Sequence, residues 1–305
     1  MPFTRSHHDW HLRTRTLALG QRTIIMGILN VTPDSFSDGG LFYSPKHIPE
    51  RALAQAIKML DEGADILDIG GESTRPNATP LTSDEEQSRI LPVIAAILKE
   101  RPGTILSVDT FHATSARRAI EAGAEIVNDV SGHLWDPEMS TTCAQLNCGA
   151  ILMHTRGRPQ DWPKLPPLAP EEVVPLVLSE LAARLEAATA AGIPRNKIVL
   201  DPGFGFGKRL DENYPLLAHF DQLRQFNLPL LAGVSRKGFL THTLAQHPSL
   251  SILLNGGTPS TEDRLNATTA ANVSAILSGA HIVRTHDVRP AVEAAAIADR
   301  ILAAE

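Results

Sequence analysis

The sequence predicts an α/β protein of the (β/α)8 TIM-barrel class, folded as a single domain. Three observations predict this class. Short apolar segments alternate with longer segments of helical period. A short sequence motif that ends one helix and begins the next strand recurs along the chain. Polar residues follow all eight apolar segments. Eight strands with helical crossovers over about 260 residues match the usual size of such a barrel.

The predicted strands are short and almost continuously apolar. This pattern is typical of parallel strands that are buried on both faces by helices and by the barrel interior. The strands are predicted over residues 23–29, 65–69, 104–108, 125–128, 150–153, 197–200, 229–232 and 281–283.

The segments between the strands carry a helical period. One apolar stripe ends at Gly63, a residue that suits the end of a helix. The stripe consists of Ile48, Ala52, Leu53, Ala56, Ile57 and Leu60. Further helices are predicted over 84–100, 115–122, 171–191, 262–278 and 289–303.

A short internal repeat supports the barrel. The phrases at 62–67 (EGADIL), 122–127 (AGAEIV) and 278–283 (SGAHIV) match one another, and 148–152 (CGAIL) is a shortened version. In each phrase the glycine ends a helix in the left-handed conformation, the small alanine permits close approach, and an apolar pair enters the sheet.

A doubly wound open sheet is the alternative architecture. It would be expected to have a glycine-rich dinucleotide turn after an early strand, and residues 27–30 (GILN) do not form one. Residues 1–21 are predicted to be an N-terminal extension and 22–305 the barrel domain. The proline-rich segment 156–170 is interpreted as an excursion and 248–261 as a surface insertion, neither being a domain boundary.

Composition limits the possible functions. The 305 residues contain 28 Lys+Arg against 34 Asp+Glu, a net charge of -6, with 43% hydrophobic and 20% charged residues. These values exclude disorder for most of the chain and predict no broad surface for nucleic acid or anionic lipid. Two cysteines, Cys143 and Cys148, are too few for a disulfide framework, and no apolar run has the length of a membrane span. We expect a cytoplasmic protein.

Polar residues lie where each predicted strand ends. In a (β/α)8 barrel these ends meet at one mouth, where function is located. They are Asn30, Asp68, Asp109, Asn128, His154, Asp201, Ser235 with Arg236 and Lys237, and Arg284 with His286. Each position alone has an ordinary structural explanation, such as a helix cap or a turn, so the prediction depends on the set.

The set suggests a ligand. Asp109, Asn128 and Asp201 offer mainly acceptors, which suits a planar heterocycle with several N–H donors, while Lys237 can donate to a ring carbonyl. Arg284 and His286 at the end of the last strand can clamp a phosphate or diphosphate. Mg²⁺ often takes one or two protein oxygens together with phosphate oxygens, so Asn30 would suffice as its protein ligand.

The glycine-rich run at 203–208 (GFGFGK) lacks the spacing of a Walker phosphate loop. Its alternating glycine and phenylalanine residues suggest instead a close backbone approach with aromatic walls for a ring. The following run at 235–238 (SRKG) opens a predicted helix, whose amides can accept a carboxylate.

The motifs resemble those of the dihydropteroate synthase family. Residues 26–39 (MGILNVTPDSFSDG) and 68–76 (DIGGESTRP) resemble its two long signatures. Five shorter motifs follow in the family's order, namely 107–110 (SVDT), 128–132 (NDVSG), 201–208 (DPGFGFGK), 233–237 (GVSRK) and 284–288 (RTHDV). The resemblance covers residues 22–303.

The resemblance implies a TIM barrel that condenses (7,8-dihydropterin-6-yl)methyl diphosphate with 4-aminobenzoate, yielding 7,8-dihydropteroate and diphosphate in folate biosynthesis. It implies Mg²⁺ as cofactor, a homodimer and membership of a family that is the target of sulfonamides. The implied pterin-binding residues are Asp109, Asn128, Met153, Asp201, Gly233 and Lys237. The implied diphosphate-binding residues are Asn30, Arg284 and His286, with Asn30 also at the metal. The implied aminobenzoate-binding residues are Thr74, Pro76, Phe206, Ser235 and Arg236, and the implied catalytic residues are Asp109, Asp201, Lys237, Phe36, Thr74 and Arg75.

The chain departs from the family pattern at three places. Thr155 and Arg156 stand where the family has Met and Gln, Thr285 replaces an apolar residue, and the insertion at 248–261 is atypical. These differences bear on loop details, because the strand-end Met153 is kept.

The residues also suit an SN1-like order of events as a hypothesis. Asp109 and Asp201 would stabilise a pterin-centred cation, while Mg²⁺, Arg284 and His286 would stabilise the departing diphosphate. The segments 34–43 and 73–82 could close over the site and exclude water. Two rival functions stay open at this point: a methyltetrahydrofolate-binding methyltransferase domain, and a catalytically inactive pterin-binding paralogue.

Overall fold

A computed structural model describes residues 5–32, 48–72, 80–253, 257, 259–260 and 262–304. It contains ten strands among these residues. They are β1 (His8–His11), β2 (Thr16–Leu19), β3 (Ile24–Asn30), β4 (Ile66–Gly70), β5 (Ile105–Asp109), β6 (Ile126–Asp129), β7 (Gly149–Met153), β8 (Ile198–Asp201), β9 (Leu231–Ala232) and β10 (Ile282–Thr285).

The α-helices of the described residues alternate with strands β3 to β10. They are α1 (Ile48–Asp61), α2 (Ser83–Glu100), α3 (Ala113–Glu121), α4 (Met139–Leu146), α5 (Pro170–Ala190), α6 (Asn213–Ala218), α7 (Gly238–Gln246), α8 (Pro248–Leu253), α9 (Leu265–Leu277) and α10 (Val288–Leu302). Short 3₁₀ helices lie at Trp162–Lys164, Arg195–Lys197, Leu210–Glu212 and Phe220–Phe226. None of the helices described here is both long and apolar enough to cross a membrane.

The eight strands form one parallel sheet in the order β8-β7-β6-β5-β4-β3-β10-β9. A parallel bridge between Leu200 and Leu230 joins the two ends of this order and closes the barrel. The predicted (β/α)8 barrel is therefore confirmed.

All eight predicted strands are present. Five of them begin and end one residue later than predicted, and β7 and β10 are each one residue longer. The later ends occur because the residue after the apolar run still offers its backbone N–H and C=O to the ladder. β9 is the exception, being two residues long where four were predicted. Pro229 has no N–H to donate, and it contributes only its carbonyl, which accepts a hydrogen bond from Leu200 N at 3.0 Å.

The strand register brings the predicted site residues to one level of the barrel. Asn30 is paired with Gly70, Gly70 with Asp109, and Asp109 with Asn128. On the other side of the barrel Met153 is paired with Asp201. Residues far apart in the sequence thus face a common mouth.

The repeated helix-to-strand phrases adopt the predicted conformation. Gly63, Gly123 and Gly279 have φ values of 102°, 114° and 108°. Each glycine follows a helix and precedes a strand by a few residues, so the repeat marks equivalent corners of the barrel.

The hydrophobic core has two parts. The larger part lies between the sheet and the surrounding helices. The smaller part fills the barrel interior and includes Met26, Ile66, Ile126, Ile151 and Val199 from successive strands. Both cysteines are buried free thiols in the larger part.

A β-hairpin that the sequence analysis did not predict closes the bottom of the barrel. β1 and β2 pair in antiparallel fashion within the predicted N-terminal extension. Trp10, fully buried, packs into the interior core and donates its indole N–H to the Lys197 carbonyl at 2.9 Å. Arg5 adds an ion pair with Asp299 at 2.9 Å. The described part of the extension is thus packed against the barrel.

Candidate active site

A charged cluster occupies one side of the mouth, and four strands supply it. Arg284 at the end of β10 donates from Nε to Asp68 Oδ2 and from Nη2 to Asp109 Oδ2, both at 2.6 Å. Asn128 on β6 donates its amide to the same Asp68 oxygen at 2.9 Å. This geometry brings together Asp109 and Asn128, two of the residues predicted to converge, and joins them through Asp68 and Arg284, the latter having been predicted to clamp a phosphate.

Burial and mutual repulsion shift the pKa values within this cluster. Burial raises the pKa of Asp109 to about 7, with Arg284 opposing the shift and Asp68 adding to it. Burial lowers the pKa of Arg284, but Asp68 and Asp109 outweigh this effect and raise it above its ordinary value. The guanidinium is therefore charged, and Asp109 titrates near neutrality.

Asp68 is the hub of the cluster, although the sequence analysis placed it at the mouth without a specific role. It is fully buried, and its second oxygen, Oδ1, has no hydrogen-bond partner among the described residues. A carboxylate within an otherwise apolar strand was the signal, since a buried charge requires a partner.

Asp201 and Lys237 lie on the opposite side of the mouth. Asp201 ends β8, and its Oδ1 accepts a hydrogen bond from Gly203 N at 2.7 Å. Its Oδ2 lies 3.6 Å from the position that a Cβ on Gly233 would take. Lys237 lies at the start of α7, and its ammonium lies 4.1 Å from the centroid of the Phe206 ring.

The same competition between burial and charge acts on this pair. Burial raises the pKa of Asp201, while the Gly203 N–H and Lys237 oppose the rise. Burial and the nearby Arg284 lower the pKa of Lys237 to about 8, with Asp201 and Asp109 opposing. Asp109 and Arg284 on one side of the mouth therefore interact electrostatically with Asp201 and Lys237 on the other.

Ser235, Arg236 and His286 meet where β9 and β10 end. The Ser235 hydroxyl lies 3.0 Å from His286 Nδ1 and accepts a hydrogen bond from His286 N at 3.2 Å. Arg236 forms a two-point ion pair with Asp287 at 2.6 and 3.0 Å. Its backbone has φ 57°, an uncommon conformation for a residue other than glycine. The predicted helix start after Ser235 is present as α7.

Asn30 lies next to the charged cluster, on the other side of Gly70 from Asp109. A Cβ on Gly70 would lie 3.7 Å from Asn30 Oδ1 and 3.6 Å from Asp109 Oδ2, so both oxygens border the space that the glycine leaves. Amide and carboxylate oxygens are the donors that Mg²⁺ prefers. Among the described residues, no three His, Cys, Asp or Glu side chains gather into a metal-binding group. The donor set therefore fits a hard cation that takes most of its ligands from a bound phosphate group.

Three sequence expectations at the mouth have different outcomes. His154, placed with the mouth residues by its position after β7, is fully buried, and its Nδ1 lies 2.8 Å from Lys208 Nζ. Of the two phenylalanines in the glycine-rich run, Phe206 faces Lys237, whereas Phe204 is buried in the outer core against Phe220 and Phe239. Four predicted site residues lie outside the described residues, namely Phe36, Thr74, Arg75 and Pro76.

Comparison with known proteins shows that the chain is similar to pterin enzymes. A family model described as "Pterin binding enzyme" matches residues 26–286. The dihydropteroate synthase of Bacillus subtilis (strain 168) is 38% identical over 292 residues, covering 96% of this chain and 93% of that protein. The folate synthesis bifunctional protein, mitochondrial, of Pisum sativum is also 38% identical, but the chain spans only 56% of its length.

Solved structures show the same likeness. The dihydropteroate synthase of Xanthomonas albilineans with 4-aminobenzoic acid superposes with a TM-score of 0.83 at 38% identity, covering 98% of this chain and 99% of that one. The Yersinia pestis dihydropteroate synthase with a sulfonamide drug has a TM-score of 0.83 at 38% identity, covering 98% of this chain and 100% of that one.

Proposed function

The chain belongs to the pterin binding enzyme family, and from this premise we propose that it is a dihydropteroate synthase. It condenses (7,8-dihydropterin-6-yl)methyl diphosphate with 4-aminobenzoate, and releases 7,8-dihydropteroate and diphosphate in folate biosynthesis. Solved structures of relatives support this reaction, since one contains the substrate 4-aminobenzoic acid and another the product 7,8-dihydropteroate.

One observation supports this function above all others. Asp68, Asp109, Asn128 and Arg284 form a single hydrogen-bonded cluster from four strands, with Asp201 and Lys237 interacting with it electrostatically. A bicyclic ring with several N–H donors and one carbonyl matches such a set of acceptors and one ammonium donor.

The first role of these residues is to bind the pterin and stabilise positive charge. Asp109, Asn128 and Asp201 accept from ring N–H groups, and Lys237 donates to the ring carbonyl. Met153 ends β7 and Gly233 follows β9, on either side of Asp201 at the end of β8, and both residues would line the pocket. When the C–O bond to diphosphate breaks, the methylene becomes cationic, and the two carboxylates stabilise the charge that spreads into the ring.

The second role is to stabilise the negative charge on the leaving group. Arg284 uses Nε and Nη2 for its two carboxylates, which leaves Nη1 outside those bonds and available to a diphosphate oxygen. His286 is held by the Ser235 hydroxyl and lies two residues from Arg284. Both side chains belong to the end of β10, adjacent to β3 and Asn30.

Mg²⁺ fits the donors around Gly70. Asn30 would hold it by its amide oxygen, and the substrate diphosphate would supply further oxygens. When bound, the ion would neutralise charge on the diphosphate and make it a better leaving group.

The third role is to position the arylamine. Phe206 offers one ring wall, and Ser235 with Arg236 precedes the N-terminus of α7, whose amides favour a carboxylate. The amine is already neutral at pH 7, so it can attack the cation without a strong base. Its lost proton then passes to solvent or to the diphosphate. For Phe36, Thr74, Arg75 and Pro76 the family-implied roles stay predictions.

The direct test is an assay of diphosphate release with both substrates, with and without Mg²⁺. We expect release only when both substrates are present, and a rate that falls when Mg²⁺ is chelated. An inactive pterin-binding paralogue would bind the pterin diphosphate in isothermal titration without turnover. A methyltransferase domain would bind a methylated tetrahydrofolate and release no diphosphate.

We further propose a homodimer and a cytoplasmic location. Ile297 and Ile301, one helical turn apart on α10, are 66% and 40% exposed, which supports contact between copies on this face. Light scattering should give twice the chain mass, and Ile297→Glu should shift it towards the monomer. The buried free thiols fit a reducing compartment, which cell fractionation can test.

A further inference from the structure

The loop of residues 203–208, here named the glycine loop, carries the aromatic wall of the site. Its Phe206 ring lies beneath the Lys237 ammonium and packs edge-on against Trp162 with 5.5 Å between centroids. The loop has no strand or helix of its own, so the position of Phe206 depends on contacts with neighbouring segments.

The exit segment, defined as residues 154–156 after β7, lies directly against the glycine loop. Arg156 N donates to the Phe206 carbonyl at 3.4 Å, and Arg156 Nη1 donates to the Gly207 carbonyl at 3.1 Å. A Cβ on Gly207 would lie 2.6 Å from Arg156 Cβ, so only glycine permits this approach. The exit segment thus holds the loop at the residue that carries the ring and at the next one.

Lys208 fixes the loop from the inside. Its side chain is 4% exposed, and Nζ donates to His154 Nδ1 at 2.8 Å and to the Phe206 carbonyl at 3.2 Å. Burial lowers the pKa of Lys208 well below its ordinary value, and the two hydrogen bonds hold Nζ between the exit segment and the glycine loop. The Phe206 carbonyl therefore accepts from two donors, Lys208 Nζ and Arg156 N.

Helix α5 supports the exit segment from outside. Arg184 Nη2 donates to the Thr155 carbonyl at 2.8 Å and lies 3.3 Å from Glu180 Oε2. Arg156 is further fixed by a hydrogen bond from Nη2 to the Pro166 carbonyl at 3.2 Å. The chain of contacts thus runs from α5 through the exit segment to Phe206.

We propose that Lys208 and Arg156 are positioning residues that set the affinity for the arylamine substrate through Phe206. The inference rests on the proposed function. Arg156 is one of the positions where this chain departs from the family pattern, so the guanidinium contact belongs to this chain. Neither side chain contacts Asp109, Asn128 or Asp201 by a hydrogen bond. Lys208 nevertheless interacts electrostatically with Asp201 and Lys237, so Arg156 is the residue whose loss leaves the pterin side of the site least changed.

The test uses the whole chain and diphosphate release, with each substrate varied in turn. Arg156→Gln and Lys208→Met should each raise KM for 4-aminobenzoate about tenfold, the effect of losing roughly one net hydrogen bond. In Arg156→Gln, KM for the pterin substrate and kcat should change less than threefold, so this variant distinguishes the two substrates. Arg156→Lys keeps one donor and should recover part of the affinity.

Arg158→Gln is the matched control. Arg158 lies two residues from Arg156, but it contacts the Trp135 carbonyl and ring and makes no hydrogen bond to the glycine loop. It should leave both KM values unchanged. An equal rise in both KM values for Arg156→Gln, or no rise for 4-aminobenzoate, would overturn the proposal.

Hydrogen exchange separates this proposal from the proposed function. Phe206 N donates to the Gly203 carbonyl at 3.2 Å, so its amide reports on loop order. Its exchange should accelerate several-fold in Arg156→Gln and in Lys208→Met, whether or not the protein releases diphosphate. A wild type without turnover would reject the proposed function. Unchanged exchange in both variants would reject the positioning role.

Discussion

At the scale of single residues, the mouth of the barrel contains two groups that titrate close to neutrality. Asp109 has a pKa raised to about 7 by burial, and Lys237 has a pKa lowered to about 8 by burial and Arg284. The pterin site requires the carboxylate form of the first and the ammonium form of the second. Both forms coexist mainly between these two values.

A bell-shaped pH profile follows for kcat/KM of the pterin substrate. Activity should rise as Asp109 ionises near pH 7 and fall as Lys237 loses its proton near pH 8. The measurement is kcat/KM from pH 5.5 to 9.5. Lys237→Arg keeps a cation at all these pH values, so the alkaline limb should disappear even if the overall rate is lower. Persistence of that limb would assign it to another group.

The Asp68→Asn substitution tests whether Asp68 contributes to the raised pKa of Asp109. Asp68 adds to the raised pKa of Asp109 by repulsion, so its neutralisation should move the acid limb of the profile to lower pH. One charge-assisted contact to Arg284 is also lost, and we expect kcat/KM to fall by about tenfold or more. An acid limb that stays in place would show that Asp68 does not act on Asp109.

The sequence predicted that Asp109, Asn128, Asp201 and Lys237 meet at the mouth because they follow strands, and the structure brings them to that end of the barrel. It could not predict their pairing, since Arg284 was expected to meet a diphosphate and in this structure holds Asp68 and Asp109. Lys208 was also missed as a contact of His154. The run lacks the spacing of a Walker loop, so its lysine was given no role, and only the tertiary structure shows that the side chain is buried.

At the scale of elements, the strands were predictable and the shorter segments were not. Continuous apolar runs indicated all eight barrel strands. The length of β9 was overestimated because apolar character alone does not report that Pro229 cannot donate. The hairpin β1–β2 was missed because each strand has only four residues. Trp10 is the one apolar residue of β1, and the apolar run of β2 is limited to residues 17–19.

The hairpin should contribute to stability without acting on the chemistry. Trp10 fills the barrel bottom, away from the mouth, so Trp10→Ala should lower the free energy of unfolding by about 3–5 kcal/mol. KM values of the folded protein should stay unchanged. The measurement is urea unfolding beside steady-state kinetics. Thr16→Ala, on the exposed part of the same hairpin, serves as a control with a change below about 0.5 kcal/mol.

At the scale of the whole molecule, His281 connects the N-terminal segment to the barrel. Its Nδ1 accepts from Leu230 N at 3.1 Å, and its Nε2 donates to the Ser6 carbonyl at 2.9 Å. These bonds specify the neutral ring, and burial lowers its pKa to about 3. The unfolded chain takes up a proton near pH 6.5, so the contribution of this residue to stability is lost as the pH falls below that value.

The pH dependence of unfolding tests this link. Between pH 7 and pH 5, wild type should lose about 2 kcal/mol more stability than His281→Gln. The comparison uses this difference because Asp109 and Asp129, whose pKa values are raised, change stability in the opposite direction in both proteins. His247→Gln, at an exposed position, should follow the wild-type curve. Parallel curves for wild type and His281→Gln would contradict the assignment.

The pairing that closes the barrel between β8 and β9 bears on how the protein unfolds on heating. A single bridge from Leu200 to Leu230 joins this side of the barrel, whereas the other neighbouring pairs share two to five ladder positions. Because this pairing is the shortest in the barrel, we expect thermal fluctuations to separate β8 from β9 first. Asp201 ends β8 and Lys237 follows β9. Opening of this pairing would therefore move two proposed pterin-binding residues apart before the remaining strands separate. Heat should therefore abolish turnover at a lower temperature than it melts the helices.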